Sequence, residues 1–171
     1  GDVYTGLSAY SLKKADFKFL VKHVRILSGL YGILKPLDLM SPYRLEMGTK
    51  LKNSKGKNLY DFWGSDISES INRSISTHKS KTVLNLASVE YFSSVKQGTL
   101  TGKVVSPVFK DYKNGKYKII SFFAKKARGL MTRYLIENRI DSPDGLAGFN
   151  YDGYKYSKSE STDQSPVFLR K

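Results

Sequence analysis

The run Ser121-Phe122-Phe123-Ala124-Lys125-Lys126-Ala127-Arg128-Gly129 brings three cations to what reads as the start of a helix. A helix's first turn has unpaired N–H groups and a partial positive charge, so it already favours anions. Cations there oppose the helix dipole at a cost of roughly a few tenths of a kcal/mol each, and phosphate binding is a use that would offset that cost. At helical spacing Lys125, Arg128 and Thr132 share one face, while Lys126 and Arg133 share another. The plain alternative is a solvated basic face with carboxylate partners elsewhere in the chain.

Two further stretches hold polar groups where geometry is fixed. Between Asp38 and Gly48 lie Arg44 and Glu46, in a loop stiffened by Pro36 and Pro42. A carboxylate there could act as a base or a metal ligand, and Arg44 could fork onto phosphate or carboxylate. Spacing fits equally well an Arg44–Glu46 or Arg44–Asp38 pair that merely pins the loop. The other stretch, Asn85-Leu86-Ala87-Ser88-Val89-Glu90-Tyr91-Phe92, follows an apolar run. Mixed sheets commonly place ligand sites at strand ends. Asn85 and Ser88 are therefore expected as polar groups lining a cleft, with Glu90 as its carboxylate. The alternative is that Asn85 and Ser88 only cap nearby backbone.

Absent chemistry narrows the field. Zero cysteines exclude thiolate catalysis, disulfides and Cys-ligated metal sites, and His23 and His78 lie too far apart in sequence for an HExxH helix. No metal site and no cofactor is expected. Walker, GxGxxG and GxSxG patterns are missing; Gly98 to Lys103 has one residue too few for a P-loop. No run reaches the roughly 18 apolar residues of a membrane-spanning helix, so no membrane partner is expected.

Charge points toward a polyanion. The 171 residues carry 29 basic and 15 acidic side chains, a net +14, and so basic a chain usually meets nucleic acid or another anionic partner. Residues 1–60 carry 11 basic and 4 acidic groups, and residues 113–139 carry 8 and 1, so the excess lies in two blocks. Lysines outnumber arginines 22 to 7, as drift in an AT-rich genome would also produce. Drift alone would scatter them, however, and the second block is not scattered.

The elements that must position these groups follow from pattern. Ser11 is the expected N-cap of a helix to about His23, with Leu12, Ala15, Phe19 and Leu20 facing inward. Val24 to Leu27 reads as a short buried strand ended by the turn Ser28-Gly29-Leu30-Tyr31-Gly32. That turn resembles a helix-hairpin-helix, but Lys35-Pro36 leaves little room for a second helix, so strand and turn are expected. Residues 35–50 are a structured loop and 50–57 a polar connection. Asp66 with Glu69 predicts a capped helix carrying Ile67, Ile71 and Ile75. Thr82 to Ala87 is nearly all apolar and is read as a central strand buried on both faces. Asn114-Gly115 between β-prone runs (104–112 and 116–121) predicts a hairpin. Its second strand feeds a basic amphipathic helix over 123–139, striped by Ala127, Leu130, Met131, Tyr134 and Leu135. Short strands near 153–157 and 166–170 are expected at a sheet edge. Hairpins mixed with β–α units give an α+β (mixed α/β) fold with a mixed sheet. One domain over 1–171 is expected, and the opening Gly1 suggests part of a longer chain.

Three runs together carry a resemblance: RILSGLYGILKPLDLMSPYRLEMG (25–48), NLASVEYF (85–92) and PVFKDYKNGKYKIISFFAKKARGLMTRYLIENR (107–139). In order and spacing they resemble the bacterial YaaA family of peroxide-stress proteins over nearly the whole chain. The resemblance implies a cytoplasmic protein of the hydrogen-peroxide response, with an unusual mixed fold and a further N-terminal segment before GDVYTGL. It implies protection of DNA through sequence-independent binding in a basic cleft, with a helix-hairpin-helix, and a link to lower free intracellular iron. On matching positions it implies DNA or phosphate contacts by Arg44, Lys125, Lys126, Arg128 and Arg133. The helix-hairpin-helix is expected in the preceding segment, and no catalytic residue carries over. Double-stranded or structured DNA is therefore the expected partner. The alternative is an enzyme on a nucleotide or nucleic acid, with Glu46 or Glu90 as acid or base.

Overall fold

The computed structural model describes Gly1–Lys171. In chain order its elements are α1 (Asp2–Leu7), α2 (Asp16–His23), β1 (Ile26–Ser28), β2 (Gly32–Leu34), α3 (Leu59–Trp63), α4 (Asp66–Ile75), β3 (Thr82–Leu84), α5 (Val89–Phe92), β4 (Lys103–Val105), β5 (Val108–Lys113), β6 (Lys116–Lys118), α6 (Ser121–Glu137), β7 (Lys155–Ser157) and β8 (Val167–Arg170), with short 3-10 turns between. The fold is α+β. No helix is long and apolar enough to cross a membrane. The chain forms two compact units: Gly1–Phe19 with Thr82–Leu86 and Val104–Lys171, and Leu20–Lys81 with Ala87–Lys103.

The first unit is built on a four-stranded mixed sheet of order β6-β5-β8-β7. The expected hairpin is present with shorter strands than the 104–112 and 116–121 expected: β5 begins at Val108, after β4 has paired with β3, and β6 ends at Lys118. Tyr112 pairs with Tyr117 and Lys113 with Lys116, closed by Asn114 (φ 54°) and Gly115 (φ 80°). Two residues at positive φ are what a two-residue hairpin turn with right-handed strand twist requires. β8 lies parallel to β5 (Phe109 opposite Phe168) and antiparallel to β7, so it is an inner strand rather than the edge expected from sequence. Only a non-local pairing decides that, and no local pattern carries it. Phe109, Phe149, Tyr154 and Phe168 pack with Ala127, Met131 and Tyr134 of α6 as the core.

α6 starts two residues before the expected Phe123 and ends two before Arg139. Ala127, Met131 and Tyr134 are buried, while Leu130 and Leu135 are half-buried against the same core. α1 crosses α6 at glycines. A Cβ on Gly6 would lie 2.1 Å from the Lys126 carbonyl oxygen, and one on Gly129 would lie 1.9 Å from that of Val3. The backbones touch because neither residue has a side chain.

Several expectations are corrected. The 82–87 run is not a central buried strand: β3 has three half-buried residues and pairs only with β4. Its apolar side chains Leu84 and Leu86 lie beside the core, which burial on one side suffices to explain. The helix expected from Ser11 begins at Asp16, after a 3-10 turn at Ala9–Ser11. The Asp16 carboxylate accepts from the Lys13 N–H at 2.9 Å, which closes the bend before the helix. Leu12 and Leu20 are buried as expected, Phe19 is half-buried, and Ala15 is exposed.

In the second unit β1 and β2 form the strand-and-turn preferred over a helix-hairpin-helix. β1 runs Ile26–Ser28, not Val24–Leu27, and only Ser28 is buried. Residues 35–50 form no helix or strand. α4 buries Ile67, Ile71 and Ile75, and its N-cap is Ser65 rather than Asp66. The Ser65 hydroxyl donates to the Glu69 carboxylate at 3.0 Å and caps no backbone N–H, so the predicted helix start survives while the predicted capping box does not form.

Candidate nucleic-acid interface

α6 receives the chain from β6 through Ile119 and Ile120, and Ile120 provides no side-chain cap. No acidic residue stands in the first turn to meet the positive end of the helix. Because Ala124, Ala127 and Met131 turn toward the core, the polar positions between them are left for the surface.

The four cations of this helix have different surroundings. Arg133 is engaged by the protein itself. Its guanidinium donates to the carbonyls of Leu7 and Ser8 and to the Ser11 hydroxyl, and pairs with Glu137 at 2.7 Å. It thereby satisfies carbonyls at the C-terminal end of α1, which a helix end leaves open. Lys126 lies 3.6 Å from Asp152, a carboxylate that also accepts from Arg170. Lys125 is exposed and has no carboxylate partner. Arg128 is half-buried, and its guanidinium forms neither a hydrogen bond nor an ion pair. Burial pushes its pKa down from the ordinary value, with no neighbouring carboxylate to compensate. Lys125 and Arg128 stand three residues apart, one turn along the same face.

In the same unit Asn85 is fixed at the end of β3, its N–H on the Val105 carbonyl at 2.8 Å and its amide on the Ser106 hydroxyl at 3.3 Å. Sequence reading passed over a buried network on the inward face of the sheet. Asp111 is 5% exposed and accepts from the Tyr154 hydroxyl at 2.8 Å and from Arg170 Nε at 2.6 Å. Arg170 also reaches Asp152 at 2.6 Å and lies over the rings of Tyr154 and Phe123. Burial and this hydrogen bond raise the Tyr154 phenol far above its usual range. One signal was available: Asp111 stands two residues beyond Phe109 and so faces the core.

The second unit holds Arg44, Glu46, Ser88 and Glu90. Arg44 is exposed and pairs with neither Glu46 nor Asp38; the Asp38 carboxylate instead accepts from the Lys35 N–H at 2.8 Å. Glu46 is exposed and unpaired. Ser88 is the N-cap of α5, accepting from Tyr91 N–H at 3.3 Å. Glu90, expected in a cleft, is exposed on the first turn of α5, its carboxylate taking the Gly48 N–H at 2.9 Å. The Tyr60 hydroxyl donates to the Glu90 backbone carbonyl at 2.8 Å. The His23 and His78 rings meet edge to face at 4.7 Å. No group of three or more His, Asp or Glu side chains gathers in a way that could hold a metal ion.

A family model described as peroxide stress protein YaaA matches residues 1–160. A UPF0246 protein of Saccharophagus degradans is 57% identical over 171 residues, covering 100% of this chain and 67% of the relative. A UPF0246 protein of Shewanella denitrificans is 57% identical over 170 residues, 99% of this chain and 66% of the relative. The chain thus spans about two thirds of the length of the curated relatives it matches.

Proposed function

The chain belongs to the peroxide stress protein YaaA family, and from that premise we propose that it binds DNA through phosphates, independently of sequence, and so protects DNA during peroxide stress. Double-stranded or structured DNA is the partner, and Lys125 and Arg128 of α6 are its principal contacts within the first unit. The observation that carries this reading is Arg128. A half-buried guanidinium without a carboxylate gives up hydration and receives nothing in return. A phosphate oxygen pair matches its planar fork of donors. Lys125, one turn before it, adds a second unpaired charge, and the net +14 supplies long-range attraction.

Lys126 and Arg133 contribute to the field while their nearest partners remain Asp152 and Glu137. Arg44 contributes from the second unit as an exposed, unpaired cation. The link to lower free iron is proposed as indirect, because zero cysteines and two histidines offer few ligands for iron. The site of action under this reading is the cytoplasm, where the chromosome lies.

A salt titration tests it. Binding of a labelled duplex should weaken with a log–log slope of about −0.9 for each phosphate contacted. In Lys125→Ala/Arg128→Ala the slope should be shallower by about two. A folded double variant with the parent's slope and affinity would overturn the assignment to α6, and a flat response in the parent would overturn DNA binding itself.

A further inference from the structure

The Asn114-Gly115 turn, which the fold uses only to reverse the chain, also has the chemistry of a modification site. Asparagine is thermolabile because the next residue's backbone nitrogen can attack its side-chain carboxamide. That attack needs a free carboxamide, a free N–H and no side chain in the way on the following residue. Of the seven asparagines, only Asn114 precedes a glycine. Asn114 and Gly115 are both exposed, and neither the Asn114 carboxamide nor the Gly115 N–H has a hydrogen-bond partner. Nothing lies within 4 Å of the place that a Gly115 Cβ would take. By contrast Asn53, Asn58, Asn72, Asn85 and Asn138 hold their carboxamides in hydrogen bonds, and Asn150 precedes the bulky Tyr151.

The residues on either side of the turn favour the same reaction. Lys113 and Lys116 pair directly across the hairpin, both exposed and neither in an ion pair. Their positive field favours loss of the Gly115 amide proton, as a cation favours the ionised form of any neighbouring acid. Like charges directly opposite in a sheet are destabilising, and a carboxylate at position 114 would offset that repulsion.

We propose that Asn114 is a site of spontaneous deamidation, with water and hydroxide as the only co-reactants. Hydroxide takes the Gly115 amide proton, the nitrogen bonds to Asn114 Cγ, and the bond from Cγ to the carboxamide nitrogen breaks. That nitrogen takes a proton from water and leaves as ammonia, so hydroxide is regenerated and a succinimide ring remains. Water then opens the ring at either carbonyl. One opening gives aspartate, and Asp-Gly suits the same hairpin turn. The other gives isoaspartate, which puts an extra methylene into the backbone. Loop length fixes the register of a hairpin, so the isoaspartyl product cannot keep Lys113 opposite Lys116. β6 runs through Ile119 and Ile120 into α6, so this second product loosens the strand that feeds the basic helix.

The test incubates the folded protein in mildly alkaline buffer and follows every asparagine by peptide mass mapping. An amide exchanged for an acid is heavier, and isoaspartyl peptides elute apart from aspartyl ones. Asn114 should convert before any other asparagine, and faster as pH rises. The aged parent should then melt at a lower temperature than the fresh parent. Asn114→Gly, which keeps the positive φ without a carboxamide, should be unchanged by ageing. Fresh Asn114→Asp should melt like the fresh parent, which separates the aspartyl product from the isoaspartyl one. An Asn114 that stays intact while another asparagine converts would overturn the site. Isoaspartate at position 114 with unchanged melting, or an equal loss on ageing in Asn114→Gly, would overturn its effect on the hairpin.

Discussion

Asp111 and Arg170 show at the level of single side chains what an unpaired group costs. Asp111 is held by two donors in a buried place, and Arg170 divides its donors between Asp111 and Asp152. Removing the carboxylate leaves the Tyr154 hydroxyl and the Arg170 Nε–H without their acceptor, with Asp152 alone to balance a largely buried guanidinium. Asp111→Ala should therefore lose about 3–5 kcal/mol in urea denaturation, whereas Tyr154→Phe, which leaves the Arg170 pair in place, should lose about 1 kcal/mol. Arg128 is the contrasting case, half-buried but with no internal partner, and this contrast is what supports the anion contact proposed for it. A second residue-level prediction concerns His78. Burial, and then the neighbouring His23, hold its pKa below the ordinary value. Its folded pKa thus lies below its unfolded one, so the unfolded chain takes up the proton first. The stability that His78 contributes is complete above about pH 6.5 and is lost as pH falls through the folded pKa. The melting temperature should drop on acidification through that window, and the drop should be smaller in His78→Gln.

Between elements, the α1–α6 crossing decides the sign of a substitution that local propensity would misjudge. Gly129→Ala in an isolated helix gains about 1 kcal/mol. Here the new methyl would meet the Val3 carbonyl at 1.9 Å, and overpacking of this kind costs about 1–3 kcal/mol or more. Gly129→Ala should lower stability in thermal denaturation, and Gly6→Ala should do the same; a stabilised Gly129→Ala would mean the helices are free to separate. The same scale shows which elements were legible. The Asn114-Gly115 hairpin and the Ile67-Ile71-Ile75 helix announce themselves because turn chemistry and periodicity are local. The place of β8 beside β5 depends on residues far apart in the chain, so Val167–Arg170 looked like an edge. Thr82–Ala87 misled for a related reason: an apolar run reports burial without saying how many strands surround it.

At the scale of the whole chain, charge is what the sequence declares most plainly. The first compact unit has 16 basic and 9 acidic residues and the second has 13 and 6, so each carries +7. Ion pairs engage Lys55, Lys110, Lys126, Arg133, Arg139 and Arg170, and most of the remaining cations meet no carboxylate. The candidate site was legible as a basic stretch, residues 121–129, because charge is a local property, but its place was not: α6 starts at Ser121, so Lys125, Lys126 and Arg128 lie beyond the first turn in which they were expected. Nor was its division of labour. That Arg133 serves the end of α1 while Arg128 serves nothing inside the protein depends on what α1, the 3-10 turn at Ala9–Ser11 and Glu137 bring to each guanidinium.

The central claim is that Arg128 is an anion contact, and its own N–H reports on that most directly. In nitrogen-resolved NMR spectra at low salt, the Arg128 Nε–H resonance should shift as a short duplex is added and return as salt is raised. The Arg133 and Arg170 resonances, already committed to internal acceptors, should move far less. An Arg128 signal that stays in place while other resonances report saturated DNA binding would contradict the account.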